Sequence, residues 1–117
     1  MAVLYAALAC EVFIQSYLQK LASSNVRVAK WLEWVETRAR QSGRGGGASI
    51  GTYYDLGLYL ATGRSLKDEM SLWKEFLTLS AARNEVSHKG VIPEGYDARK
   101  AVEAAWGIID WVEGPAP

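Results

Sequence analysis

LKDEMSLWKEFLTLSAARNEVSHKG, Leu66 to Gly90, is the segment around which the chain is organised. At about 3.6 residues per turn, Leu66, Met70, Trp73, Leu77, Ser80 or Ala81, Asn84 and His88 follow one another along one face. Leu72, Phe76, Leu79, Arg83 and Val86 make the adjoining row. The spacing predicts a long helix, apolar over a wide arc, on which Arg83, Asn84 and His88 arrive together near the C-terminal end. Polar groups continuing an apolar face need partners or a function if they are buried. At an end in solvent they would only complement the helix dipole. Ser65 opens the helix, with Asp68 three residues later in a capping-box arrangement. Gly90 and Pro93 end it.

Upstream, Leu4, Ala7, Leu8, Glu11, Ile14, Leu18 and Leu21 recur at spacings of three and four, predicting an amphipathic helix from Ala2 to about Ala22. Glu11 interrupts that stripe. Either it pairs with a cation, for which Arg83 is the candidate, or it sits at the stripe's edge and reaches water. Asn25 caps a second helix, Val26 to about Arg40, with Val28, Trp31, Leu32, Val35 and Ala39 inward. Trp34 lies off this stripe, as a second packing surface or a subunit contact. QSGRGGGASIG, residues 41–51, is too glycine-rich for regular structure and reads as a flexible loop. Gly46, Gly51 and Thr52 echo part of a P-loop, but the lysine is missing and no strand precedes it. TYYDLGLYLA, Thr52 to Ala61, reads as a helix closed by Gly63, because no other run could pair with it as a strand. Asp97 caps a last helix with Ala98, Ala101, Val102, Ala105, Ile109 and Val112 inward. The expectation is all-α: one domain, residues 1–117, a bundle of about five helices with tryptophan-rich packing.

Half the 117 residues are apolar, enough for a core. Thirteen basic and thirteen acidic side chains cancel, so any nucleic-acid contact must be local. The basic side chains assigned to RNA are Arg38, Arg40, Arg44 and Lys89, of which Arg38 and Arg40 serve equally as dipole partners at a helix end. One cysteine, Cys10, excludes an internal disulfide and fits a reducing cytoplasm. One histidine and one distant cysteine give no zinc spacing, so neither a metal nor a cofactor is expected. The opening segment has no basic flank of a secretory signal, and Gln15, Ser16, Gln19 and Lys20 break its apolar run, so no membrane span is expected. Apolar side chains begin directly after Met1 without a cap, which suggests a fragment of a longer protein carrying a further domain.

Residues four apart on a helix are neighbours, so Asn84 is placed to orient His88, and Arg83 to meet Ser87. Arg83 and His88, five apart, diverge by about 140°. Arg83-Asn84-Glu85-Val86-Ser87-His88 resembles the motif of the HEPN superfamily: an arginine, often followed by asparagine, with four to six residues before a histidine. Its place near the end of a long penultimate helix, after an alanine-rich opening helix bearing a glutamate, extends the resemblance over most of the chain. The resemblance implies a helical bundle that dimerises with its motifs facing each other, and commonly metal-independent endoribonuclease activity. One departure is Gly90, where HEPN toxins paired with small nucleotidyltransferases carry a tyrosine.

An independent count agrees. Metal-free RNA cleavage needs a base for the 2′-hydroxyl, an acid for the 5′-oxygen and a cation for the phosphorane, and a homodimer supplies two histidines where one chain has one. The expected function is therefore a cytoplasmic, dimeric endoribonuclease acting on single-stranded RNA. His88 is its acid/base, Arg83 its phosphate clamp and Asn84 the orienting residue, with Glu11 and Ser87 in support. The interface is expected to include the C-terminal half of the Leu66–Lys89 helix. The alternative is a non-catalytic module that binds RNA, a nucleotide or a protein partner within a larger defence or signalling protein.

Overall fold

The computed structural model describes residues 2–42, 49–90 and 96–114; Arg44, Gly46 and Pro93 lie outside them. Every regular element described is helical: α1 (Ala2–Ala22), α2 (Val26–Ser42), α3 (Ile50–Thr52), a π-helical turn (Tyr53–Gly57), α4 (Leu58–Thr62), a 3₁₀ turn (Leu66–Asp68), α5 (Met70–Lys89) and α6 (Ala98–Glu113). The segments from Ile50 to Thr62 run on without a break, so the expected all-α chain of five helices is what forms. The helices group into two compact units. One contains α1 as far as Phe13, with α5 and α6; the other contains α1 from Ile14, α2, α3, the π turn, α4 and the 3₁₀ turn.

In the second unit the caps and faces follow from local sequence. Asn25 Oδ1 accepts the Val28 N–H at 3.2 Å and starts α2. Val28, Trp31, Leu32 and Val35 are buried as the spacing requires, beside Ile14 and Leu18 of α1, which are fully enclosed. Trp31 meets Tyr53 edge-on at 5.2 Å. The π turn brings Gly57 onto the same tryptophan: a β-carbon there would stand 2.9 Å from Trp31 Cζ3 and 3.0 Å from Leu18 Cδ1. Glycine is thus required by close packing between elements.

The long central helix is not continuous. Leu66–Asp68 is a 3₁₀ turn, Glu69 leaves helical geometry (φ −100°, ψ 87°), and α5 begins at Met70. The cause is Ser65, which is buried and occupied elsewhere. Its hydroxyl donates to Asp55 Oδ1 and accepts the Lys67 N–H, so no capping box forms with Asp68.

In the first unit, α5 and α6 pack on each other. The buried residues of α5 are Phe76, Leu79, Ala82 and Val86, close to the second row of the spacing. Of the first row, Leu66 is buried in the 3₁₀ turn and Trp73 and Ser80 are half-buried, while Met70, Leu77, Asn84 and His88 are exposed. The inward face of α6 is rotated likewise, to Ala101, Ala104, Ala105, Ile108 and Val112, leaving Ala98 and Val102 exposed. In α1 the inward residues here are Val3, Ala6 and Cys10, while Leu8 is exposed and Leu4 and Ala7 are half-buried. Packing is less reliant on tryptophan than expected, since Trp31 alone of the five is buried and Trp34 and Trp106 are largely exposed. Asp97 caps α6 through the Lys100 N–H at 2.9 Å.

By length and composition α1 would serve as a membrane span, with mean hydropathy 1.3, despite Gln15, Ser16, Gln19 and Lys20. A third of that window is buried inside the protein.

Gly57→Ala should lower stability by about 1–3 kcal/mol, because the added methyl drives into a buried indole. A urea titration should show the midpoint falling with little change in slope.

Candidate functional site

The last two turns of α5 carry Arg83, Asn84, Ser87, His88 and Lys89, all exposed. Burial of Ala82 and Val86 fixes this rotation, since the helix cannot turn its polar residues inward without losing that contact. The helix then stops at Gly90, whose left-handed backbone (φ 69°) lets its N–H close onto Val86 O. The end of α5 is thus fixed in both rotation and length.

Arg83 is held from α1. Glu11 Oε2 lies 3.8 Å from Arg83 Nη2, with side chains 26% and 47% exposed respectively, so both alternatives for Glu11 are partly realised: it pairs with Arg83 and still reaches water. Lys89 Nζ pairs with Glu85 Oε2 at 3.4 Å along the helix. The expected bonds from Asn84 to His88 and from Arg83 to Ser87 are not made among the described residues. Their helical spacing sets each pair side by side, but at exposed positions water competes for the same groups. The cluster therefore consists of one braced guanidinium and an unbraced imidazole, amide and hydroxyl, all open to a ligand.

Arg38 and Arg40 belong to the other unit. The Arg38 guanidinium lies 4.9 Å over the Trp34 ring, and Arg40 Nη2 donates to Thr37 Oγ1 at 3.4 Å. Trp34 thus supports a cation on an exposed surface. Among the described residues no three His, Cys, Asp or Glu side chains gather as metal ligands.

Sequence reasoning missed Tyr96. It borders an open cavity of about 810 Å³ between α5 and α6, with Lys74, Glu75, Glu85, Lys100 and Glu103. Its hydroxyl is buried without a hydrogen-bond partner among the described residues. Burial, then the charges of Glu75, Cys10 and Asp97, raise its pKa above the usual tyrosine value. No spacing signals this, because Tyr96 stands in the connection before α6. Tyr53 is also raised, by burial and then by Glu36.

Set against known proteins, the chain matches no family model, no curated protein and no solved structure.

Two outcomes follow from the geometry. Glu11→Gln should cost no more than about 1 kcal/mol in a urea titration, since the pair is long and partly solvated; a loss several times larger would make the pair a buried structural one. Tyr96→Phe should be neutral or stabilising by up to about 1 kcal/mol at neutral pH, because it deletes an unsatisfied hydroxyl. With the folded pKa raised, the tyrosine's contribution is intact below the unfolded pKa of about 10 and is lost as pH rises through the folded value. Tyr96→Phe should therefore flatten the alkaline limb of the stability profile.

Proposed function

We propose that the chain is a HEPN-type, metal-independent endoribonuclease that cleaves single-stranded RNA as a homodimer. The observation that carries this reading is the exposure of Arg83, Asn84, Ser87 and His88 together at the end of α5, with Arg83 braced by Glu11. Such a cluster has the parts for in-line transesterification. An RNA phosphate docks on the Arg83 guanidinium, which offers fork-shaped donors to its oxygens. One imidazole takes the 2′-hydroxyl proton, that oxygen attacks the adjacent phosphorus, and a 2′,3′-cyclic phosphate forms as the 5′-oxygen leaves. A proton must reach that oxygen, and His88 of a second copy is its donor. The phosphorane's negative charge is met by arginine rather than by a metal. Lys89 extends the positive surface beside Arg83, while Arg38 and Arg40, in the other unit, form a weaker RNA contact of their own. Cys10, buried and in no disulfide, accords with action in a reducing cytoplasm.

A second reading has one observation in its favour. Met70 and Leu77, both exposed, continue the row of Asn84 and His88, which suits a protein-binding module in a larger assembly.

The two readings part on His88→Ala. In a nuclease, cleavage of single-stranded RNA in chelator should fall about a hundred- to ten-thousandfold, with circular dichroism and sedimentation unchanged. Arg83→Ala should also slow it while the protein remains folded. Cleavage retained in folded His88→Ala protein belongs to a contaminant and leaves the binding module as the function.

A further inference from the structure

Charge is divided unevenly along the chain. Residues 14–68, the unit that contains α2, hold eight Lys or Arg against four Asp or Glu, whereas the other unit holds five against nine. A neutral protein thus consists of one basic unit and one acidic unit, an asymmetry that suits contact with a polyanion. Within the basic unit, α2 gathers cations on one side. At 100° per residue Arg27, Lys30, Trp34, Arg38 and Gln41 fall within an arc of about 80°, and all five are exposed. Burial of Val28, Trp31, Leu32 and Val35 fixes that rotation. The acids of α2 stay off the stripe, since Glu33 and Glu36 lie at least about 60° beyond its edge. None of Arg27, Lys30 and Arg38 joins a salt bridge among the described residues.

Trp34 stands in the middle of these cations, 54% exposed, with the Arg38 guanidinium 4.9 Å over its ring. The core makes no use of it, because Trp31 is the indole that α2 buries. An exposed indole flanked by cations matches the two needs of a nucleic-acid strand: bases stack on the ring while phosphates follow the positive charges.

We infer that the Arg27–Lys30–Trp34–Arg38 side of α2 binds a single strand of nucleic acid, with a base stacked on Trp34 and phosphates on Arg27, Lys30 and Arg38. From Arg27 to Arg38 the helix rises about 16 Å, room for about five nucleotides of a stacked strand. Arg40, turned about 120° from Trp34 and bonded to Thr37, stands outside the stripe. Stacking and phosphate contact read neither the sugar nor the base sequence, so DNA and RNA bind alike. The inference therefore does not rest on the nuclease reading of Arg83 and His88, which needs a 2′-hydroxyl.

Fluorescence anisotropy with a labelled oligothymidylate of about 16 nucleotides tests it, because a DNA strand binds without being open to cleavage through a 2′-hydroxyl. Trp34→Ala should weaken binding about five- to 150-fold. Three phosphate contacts predict that log K falls against log salt with a slope of about −2, and Arg27→Gln combined with Lys30→Gln should reduce that slope to about −0.7. The substituted sites are exposed, so far-UV circular dichroism should match the wild type, and whichever variant does so carries the test. Absence of binding at low salt, or unchanged affinity and slope in the folded variants, would overturn the inference. Equally tight binding of a duplex of the same length would also overturn it, since paired bases cannot reach the indole. So would flotation of the wild type with phosphatidylserine vesicles without any binding of oligothymidylate, which would make the stripe a membrane contact.

Discussion

The packing of α5 on α6 is the constraint from which the candidate site follows. Phe76, Leu79, Ala82 and Val86 turn inward from α5, and α6 answers with Ala101, Ala104, Ala105 and Ile108. Small residues let the two helices come close: a β-carbon on Gly107 would already be 3.4 Å from Leu72 Cδ2. With that face fixed, helical geometry determines the rest. Arg83, next to the buried stripe, comes within reach of Glu11, while Asn84 and His88 turn to solvent. The site is therefore a consequence of core packing, and its residues carry no burial penalty that function would have to justify.

The elements were legible where a single strong local signal governs them. Asn25 and Asp97 cap as their chemistry dictates, Gly90 ends α5, and the Val28-Trp31-Leu32-Val35 stripe of α2 is the one that is buried. Faces were harder to read in α1 and α6. Their alanines are equally at home inside or outside, so a stripe drawn through Leu4, Leu8 and Val102 fits the spacing as well as one drawn through Val3, Cys10 and Ala104. Only tertiary contact separates the two. In α5 the two adjoining rows made one wide apolar arc, and packing buries Phe76, Leu79 and Val86 while Met70 and Leu77 stay exposed. The break at Glu69 was hidden for another reason: Ser65 looks like a cap for Asp68, but its hydroxyl is committed to Asp55, ten residues away.

For the site, the sequence revealed which side chains share the end of one helix and which carboxylate could brace the arginine. It could not reveal that Asn84 and His88 stand free, because the bond their spacing permits is made or lost according to solvent exposure. Nor could it find the Tyr96 hydroxyl, because the connection between α5 and α6 has no periodicity that marks a buried side. A single imidazole on an open surface is a poor acid/base pair by itself. In the proposed reaction a second chain contributes the other imidazole, so that reading ties function to association.

If Arg83 and His88 cleave RNA without a metal, the chemistry of the product ends will show it. Mass spectrometry of oligonucleotides released from single-stranded RNA by the wild-type protein in excess chelator should find 2′,3′-cyclic phosphate on the 5′ fragment and a free 5′-hydroxyl on the 3′ fragment. A 5′-phosphate end with a 3′-hydroxyl, or the absence of any product, would contradict the account.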